Sequence, residues 1–388
     1  PYFLSRPRRF GKSLLISTFD AYFQGKKELF DGLAIEQLET KWEQHPVLHL
    51  DLNAKKYETA ADLIAMLNQY LEKWEAIYGN EKKDRSPEER FSYVIEQASL
   101  KTGKGVVVLV DEYDKPLLQA ITRPKLFEDY RQTLKAFYGV LKSADAYLRF
   151  VFLTGVTKFS QVSVFSDLNQ LNDISMKIPY ANICGITKKE LVSTFTPELE
   201  HLAEVQEMSF EDTVDKMTAM YDGYHFTYSE EGLFNPFSVL NVFDGLMFDN
   251  YWFQTGTPTY LVELLKQSDY DLRLLIDGLE VGSSGFAEYR AETKNPLPMI
   301  YQSGYLTIKN FDKSLNLYTL GFPNDEVKYG FLKFLIPYYT PISSDETDFN
   351  AVKFVRELQL GDVHSFMERM KSFFADIPYE LNTKTERH

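Results

Sequence analysis

The sequence predicts an α/β fold. A parallel sheet with helices on its faces is followed by a helical segment and then by a smaller unit of helix and hairpin. Three observations carry this. Strand-like and helix-like patterns alternate from the N-terminus to about residue 180, the arrangement that builds a parallel sheet. Val106-Val107-Val108-Leu109-Val110 is an unbroken, largely β-branched apolar run, as in a strand buried on both faces. From Gly185 onward helices dominate, until a helix and a two-strand pattern near residues 297–320.

Taken in order, Tyr2-Phe3-Leu4-Ser5 reads as the first strand, and Arg6-Pro7-Arg8-Arg9-Phe10 as a turn. Gly11-Lys12-Ser13 then opens an amphipathic helix to Phe23. Strand, turn and Gly-Lys-Ser helix start form the layout of a phosphate-binding loop, whose backbone N–H groups and first helical turn meet phosphate oxygens. Arg9, Phe10, Gly11, Lys12, Ser13 and Leu14 are therefore the candidate nucleotide-binding residues. Lys12 is placed to reach the β- and γ-phosphates, and the Ser13 hydroxyl to ligate Mg²⁺. The general pattern has glycine where this chain has Arg6. A bare Gly-Lys-Ser also fits a basic, solvated turn, so a second motif is required.

Residues 46–52 read as a strand in which His49 is a packed residue, and residues 60–78 and 87–100 as helices whose aromatics (Tyr70, Trp74, Tyr78, Phe91, Tyr93) serve the core. The run 106–110 supplies the second motif, since it ends in Asp111-Glu112-Tyr113-Asp114. Open α/β sheets bind ligands at the carboxyl ends of their strands. Asp111 is assigned to Mg²⁺ and Glu112 to the general base that activates water. Asp114 reads as a cap or an ion-pair partner. A helix at 126–144 leads to a third buried strand, 149–154, ending in Thr154-Gly155. In ATPases with an extra strand between the two motif strands, a polar residue here senses the γ-phosphate or the attacking water. Thr154 fits that place, and equally fits a threonine that satisfies local backbone. Arg149 and Lys158 are candidates for neutralising transition-state charge, with solvated surface charge as the plainer reading.

Thr187 and Glu190 form a capping box for a helix near Lys188, and helices continue to about 268. His225, in the loop Tyr221-Asp222-Gly223-Tyr224-His225-Phe226, reads as a structural hydrogen-bonding residue. Asn235-Pro236-Phe237-Ser238 starts a helix. Gly256-Thr257-Pro258 either lays Pro258 against adenine or is an ordinary helix start. Residues 297–302 read as a helix, 304–308 and 315–320 as strands, and 310–314 as their turn. Helix then hairpin is how a winged-helix domain ends. Such domains bind DNA or pack on an ATPase core, and the acidic balance of this chain favours packing. Residues 342–350 read as a polar linker.

The chain has 388 residues, 44% hydrophobic, with a formal net charge of −14. That suffices for two or three domains and argues against a broad nucleic-acid surface. One cysteine, Cys184, suits a reducing cytoplasm. No apolar run approaches a membrane span. The chain does not begin with Met and starts within the first strand, so a piece of a longer polypeptide is expected.

These motifs carry a resemblance. Arg6-Pro7-Arg8-Arg9-Phe10-Gly11-Lys12-Ser13, Val110-Asp111-Glu112-Tyr113-Asp114-Lys115-Pro116 and Phe152-Leu153-Thr154-Gly155-Val156-Thr157-Lys158-Phe159-Ser160 are similar to the bacterial AAA-ATPase-like family. Tyr221-Asp222-Gly223-Tyr224-His225-Phe226, Tyr251-Trp252-Phe253 and Gln302-Ser303-Gly304-Tyr305-Leu306 extend the match to nearly the whole chain. The family resembles archaeal-type ATPases of the signalling, STAND-like branch, and arginine at the place of Arg6 is usual in it. The resemblance implies a P-loop NTPase core (1–180), a helical lid (181–268), a winged-helix-like domain (269–341) and a linker (342–388) toward a PD-(D/E)xK nuclease-like domain outside this chain. It implies ATP and Mg²⁺ as ligands, with Lys12, Glu112 and Thr154 catalytic, Ser13 and Asp111 at the metal, and Pro258 at the base. The expected function is a cytoplasmic, Mg-dependent ATPase switch acting on the attached effector domain. DNA and a second copy of the chain are candidate partners. A non-catalytic nucleotide-binding scaffold and a DNA-handling module stay open as alternatives. A GTPase is disfavoured, because no Asn-Lys-x-Asp motif is found.

Overall fold

The computed structural model describes residues 1–159, 165, 171–228, 231–254, 261, 264–265, 268, 275, 278–289, 295–339, 357 and 360–375. Its first region is built on a five-stranded, all-parallel sheet. The strands are β1 (Tyr2–Ser5), β2 (Val47–Asp51), β3 (Val106–Asp111), β4 (Leu148–Gly155) and β5 (Asn172–Asp173), in spatial order β2-β3-β4-β1-β5. Strand β4 thus lies between β1 and β3. The register sets Ser5 against Gly155, Val110 against Leu153 and Asp51 against Asp111. The carboxyl ends of four strands therefore share one edge, from which the loops with the candidate site residues emerge.

The two-residue period of a strand sorts the sheet's side chains between its faces. Leu4, Val107, Leu109 and Phe152 share a cluster with Ile16 and Phe23 of helix α1 (Lys12–Phe23). Phe3, Val106, Val108, Val110, Val151 and Leu153 belong to the core on the other side. That core includes Leu63, Leu67 and Leu71 of α3 (Ala60–Tyr78), Phe91, Val94 and Ile95 of α4 (Pro87–Thr102), and Leu134, Phe137 and Leu141 of α6 (Pro124–Ser143). All six residues of β3 are buried, as an unbroken apolar run requires when helices cover both faces. Between α3 and α4, Arg90 forms a buried two-pronged ion pair with Glu75, both bonds at 2.7 Å, a geometry that compensates the burial of both charges.

The second region is mixed. Helices α7 (Lys188–Thr194), α8 (Thr196–Val205), α9 (Phe210–Tyr221) and α10 (Pro236–Gly245) gather around Leu191, Leu199, Met217, Tyr221 and Val239. The Thr187 box closes as expected: Glu190 N–H donates to Thr187 Oγ1 at 3.1 Å and Thr187 N–H to the Glu190 carboxylate at 2.9 Å. Asn235 caps α10 by accepting from Phe237 N–H at 2.9 Å. Strands β6 (Ile186–Thr187) and β7 (Leu233–Phe234) pair antiparallel. Strands β8 (Leu279–Val281), β9 (Thr307–Asp312) and β10 (Leu317–Gly321) form an antiparallel sheet in the order β8-β10-β9, with a helix at Leu297–Gln302 between β8 and β9 in the chain. The expected turn at 310–314 lies further on. β9 continues to Asp312, whose carboxylate accepts from Ser314 N–H at 2.7 Å and Leu315 N–H at 3.1 Å, so the reversal falls after it. The segments 160–164, 255–260 (with Pro258) and 340–350 lie outside the described residues.

The two regions share a core. Tyr224, Phe226, Trp252, Leu297, Met299, Tyr305 and Phe331 belong to the same buried cluster as Phe3, Phe10 and Val110. Glu326, 1% exposed, ties three helices together: its carboxylate accepts from Trp252 N–H at 2.7 Å and from Ser238 Oγ at 2.8 Å. Among the described residues no helix is long and apolar enough to cross a membrane.

Two measurements check this packing. Leu109→Ala is expected to destabilise the chain by about 2–5 kcal/mol in chemical denaturation, as a cavity in a covered sheet does; a loss well under ~1 kcal/mol would contradict the two-faced burial of β3. Burial, with Asp249 adding to it, pushes the Glu326 carboxyl up to about 7. The folded chain then holds a proton that the unfolded chain has released between pH ~4.5 and ~7. This contribution is full below the ordinary glutamate value and lost as pH rises through about 7. Glu326→Gln should remove a pH-dependent loss on the order of 1–3 kcal/mol between pH 5 and 8. An unchanged slope would mean that Glu326 is not the titrating group.

Candidate active site at the carboxyl edge of the sheet

The chain leaves β1 at Ser5 and enters α1 through two left-handed residues, Arg9 (φ 68°) and Gly11 (φ 82°). A Cβ on Gly11 would meet nothing within 4 Å, so glycine is required there by backbone conformation and not by space. Phe10 between them is fully buried, edge-on to Tyr224 (4.7 Å between centroids) and Phe226 (5.3 Å). Its side chain is thus taken up in packing. The Arg9 guanidinium lies over Phe237, 4.8 Å from the ring centroid. Ser13 and Leu14 are exposed on the first turn of α1.

Lys12 is buried, 4% exposed. Its ammonium donates to Pro7 O at 3.2 Å and lies 3.6 Å from Glu112 Oε1. The two motifs, about a hundred residues apart in sequence, therefore meet side chain to side chain. Glu112 reaches Lys12 because it leaves β3 in the left-handed region (φ 52°), a costly backbone for a non-glycine residue. Asp111 is oriented separately. Its Oδ1 accepts from Thr154 Oγ1 at 2.6 Å and from Glu112 N–H at 3.0 Å. The fully buried Thr154 thus donates its proton to the acidic side chain of the neighbouring strand, a role that sequence reasoning did not foresee.

Asp114 caps the exit of β4, accepting from Val156 N–H at 3.1 Å and Thr157 N–H at 2.6 Å. Gly155 leaves room for it, since a Cβ there would come within 2.6 Å of Asp114 Oδ1. Burial first, then the charge of Glu112, pushes the Asp114 carboxyl up to about 7. Tyr113 holds the same turn, donating to Thr157 O at 2.9 Å and accepting from Phe159 N–H at 3.2 Å.

Other expectations sort by position. Lys158 is held between Asp173 (2.8 Å) and Glu288 (2.9 Å). Burial works to lower its pKa, but these carboxylates outweigh it and hold the ammonium above its ordinary value. Its charge is thus already matched within the fold. Arg149 opens β4 at the other end of the strand from Thr154 and lines a polar cleft of ~190 Å³ with Tyr22, Glu39, Lys41, Glu43 and His45. A strand rises about 3.3 Å per residue, so Arg149 stands away from the carboxyl edge. His225 bonds to Thr307 through its backbone N–H at 2.6 Å and its carbonyl at 2.9 Å. His49 lies 3.7 Å from Asp20.

Ser13 and Asp111, the two expected Mg²⁺ ligands, stand on the first turn of α1 and at the end of β3. Among the described residues there is no group of three or more His, Cys, Asp or Glu that could hold a metal. Mg²⁺ needs no such group, since one or two protein ligands commonly hold it together with water and substrate phosphates. An exposed hydroxyl at a helix start and a carboxylate fixed by Thr154 are donors of the right hardness.

Residues 1–165 match a family model described as a predicted AAA-ATPase (AAA-ATPase_like). A protein of Azotobacter chroococcum mcd 1, described as an uncharacterized protein in the vnfD 5' region, is 36% identical over 387 residues, covering 98% of this chain and 71% of its own length. With its five-stranded parallel sheet and its Lys12–Glu112 edge, the chain belongs to the predicted AAA-ATPase-like family.

Proposed function

We propose that the chain is a Mg²⁺-dependent, ATP-hydrolysing switch of P-loop NTPase type, whose nucleotide state is passed to a nuclease-like effector domain of the parent protein. The observation that carries the reading is the 3.6 Å approach of Lys12 to Glu112, at the carboxyl edge of a sheet whose order places β4 between β1 and β3. In this reading the backbone N–H groups from Arg9 to Leu14 bind the phosphates, with the N-terminus of α1 favouring the negative charge. Lys12 neutralises the β- and γ-phosphates. Phosphate oxygens draw Lys12 away from Glu112, and the released carboxylate takes the proton of the attacking water. Bound Mg²⁺ on Ser13 and Asp111 would neutralise charge developing on the phosphates. Thr154 keeps Asp111 aimed by its 2.6 Å bond and so serves as a positioning residue rather than a direct sensor. Pro258, in the segment expected to cover the base, is kept as the candidate adenine contact.

For the second region we keep the division into a helical lid (181–268) and a winged-helix-like unit (269–341), with 342–388 leading onward. The hairpin favours packing over DNA. Lys309 is turned inward to Pro323 O at 2.9 Å, Asp312 caps the turn, and Phe311 stacks on Tyr228 at 5.1 Å between centroids. The turn keeps one exposed lysine, Lys313, a small positive charge to offer a phosphate backbone.

Three variants test the assignment in the full chain. Lys12→Ala should abolish binding of a fluorescent ATP analogue. Glu112→Gln should keep that binding and slow single-turnover phosphate release by about 10²–10⁴-fold; hydrolysis at the wild-type rate would sink Glu112 as the base. Thr154→Val should raise the Mg²⁺ concentration for half-maximal phosphate release by about 10–100-fold with little change in Mg-free nucleotide binding. If the wild-type chain binds nucleotide and releases no phosphate, the scaffold reading replaces the enzyme.

A further inference from the structure

We infer that Trp252, Gly304 and Glu326 are positioning residues for the phosphate loop, so that the nucleotide site of the segment 1–165 is completed by residues far outside it. The inference rests on the nucleotide reading of Gly11-Lys12-Ser13 and adds the part of the chain that sets the loop's shape.

The clamp is continuous from one end to the other. The Glu326 carboxylate, nearly without solvent, accepts from Trp252 N–H at 2.7 Å and Ser238 Oγ at 2.8 Å. This fixes the start of the short helix α11 (Tyr251–Gln254). The fully buried Trp252 indole then donates its Nε1–H to Arg8 O at 3.2 Å, and the Arg8 guanidinium lies 5.2 Å from the centroid of the same ring. Tyr305 buttresses the indole edge-on at 5.1 Å. Beside it, Gly304 sits in the left-handed region (φ 92°), and a Cβ there would come within 2.7 Å of Pro7 Cβ and 3.3 Å of Trp252 Cζ2. The backbone of Gly304 thus forms a wall against Pro7, and glycine is needed there for both conformation and space. Pro7 in turn offers its carbonyl to Lys12 Nζ at 3.2 Å.

The links from Glu326 to Lys12 are hydrogen bonds and close approaches, and they enter the loop at the Arg8 carbonyl and at the Pro7 ring. A phosphate loop works by the direction of its N–H groups. Small misplacements of a binding constellation are costly, and precise ones depend on the groups that support them. The bonds and close approaches of the three residues meet the loop at Arg8 and Pro7, and their effect on it passes through those two residues.

The experiment uses the full chain and two readouts. Hydrogen exchange without nucleotide compares the amides of residues 8–11 with those of β3, and titration with a fluorescent ATP analogue and Mg²⁺ gives the affinity. Trp252→Phe keeps the ring and removes the donor to Arg8 O. It should speed exchange of residues 8–11 about fivefold or more, the size of one net hydrogen bond, and weaken nucleotide binding by a similar factor while β3 exchange is unchanged. Gly304→Ala should act more strongly in the same sense. Glu326→Ala should reproduce Trp252→Phe, whereas Glu326→Gln should match wild type, because its amide can still accept from Trp252 and donate to Ser238. Unchanged loop exchange in Trp252→Phe would overturn the inference, as would acceleration spread equally over β3. Should Gly304→Ala fail to fold, Trp252→Phe and the glutamine rescue still decide it. A wild-type chain that binds no nucleotide would overturn the reading of the site, while the exchange comparison would still judge the clamp.

Discussion

The guanidinium of Arg6 is buried at the carboxyl end of β1, where it donates to carbonyl oxygens. It donates to Ser175 O at 2.8 Å, Ser5 O at 2.9 Å, Tyr180 O at 3.0 Å and Ile183 O at 3.1 Å, and lies 4.1 Å from the Phe226 ring centroid. Burial, the largest influence, lowers its pKa to about 10, yet it remains charged at neutral pH. A buried cation is costly unless its donors are satisfied, and these carbonyls satisfy it. One side chain thereby fastens the end of β1, the turn after β5 and the loop carrying Phe226. The rest of the edge depends on that fastening: the turn from β1 into α1 starts from Arg6, and Phe10 closes it against Tyr224 and Phe226. At the position where general phosphate loops have glycine, this chain uses a side chain to bind its own two regions together.

Neighbouring carboxylates acquire different roles from their surroundings. Asp111 ends a wholly buried strand and is held by Thr154, which fixes its direction. Glu112, one residue later, is thrown outward by a left-handed backbone and meets Lys12. Asp114 turns back under Gly155 to cap the exit of β4, where burial raises its pKa. Residue type alone does not separate these roles. Strand ends, a positive φ and one neighbouring hydroxyl do.

What the sequence disclosed follows the same physics. Helices Lys12–Phe23 and Ala60–Tyr78, strand Val106–Asp111 and the Thr187 cap were legible, because apolar period and capping chemistry are local. So was the meeting of Gly11-Lys12-Ser13 with Asp111-Glu112, since each motif ends a parallel strand. The two-residue strand β5 is too short to show a period. β9 reaches Asp312 because that carboxylate, not the Asn310 beyond Ile308, caps the turn. The Thr154–Asp111 bond, the bonds of Arg6 to Ser175, Tyr180 and Ile183 and the hold of Trp252 on Arg8 join residues 43 to 244 positions apart. No local pattern marks such partners. Arg149 and Lys158 show the converse: charge suggested chemistry, but strand direction moves one away from the edge and two carboxylates match the other.

Glu112 carries one more implication through its backbone. A non-glycine residue in the left-handed region costs about 1–3 kcal/mol when its surroundings impose that conformation. Glycine at 112 would release that cost, and would also remove the carboxylate facing Lys12. At this position, backbone stability and the carboxylate–ammonium approach pull in opposite directions. At Glu112 the chain thus holds a carboxylate against Lys12 at the expense of backbone stability.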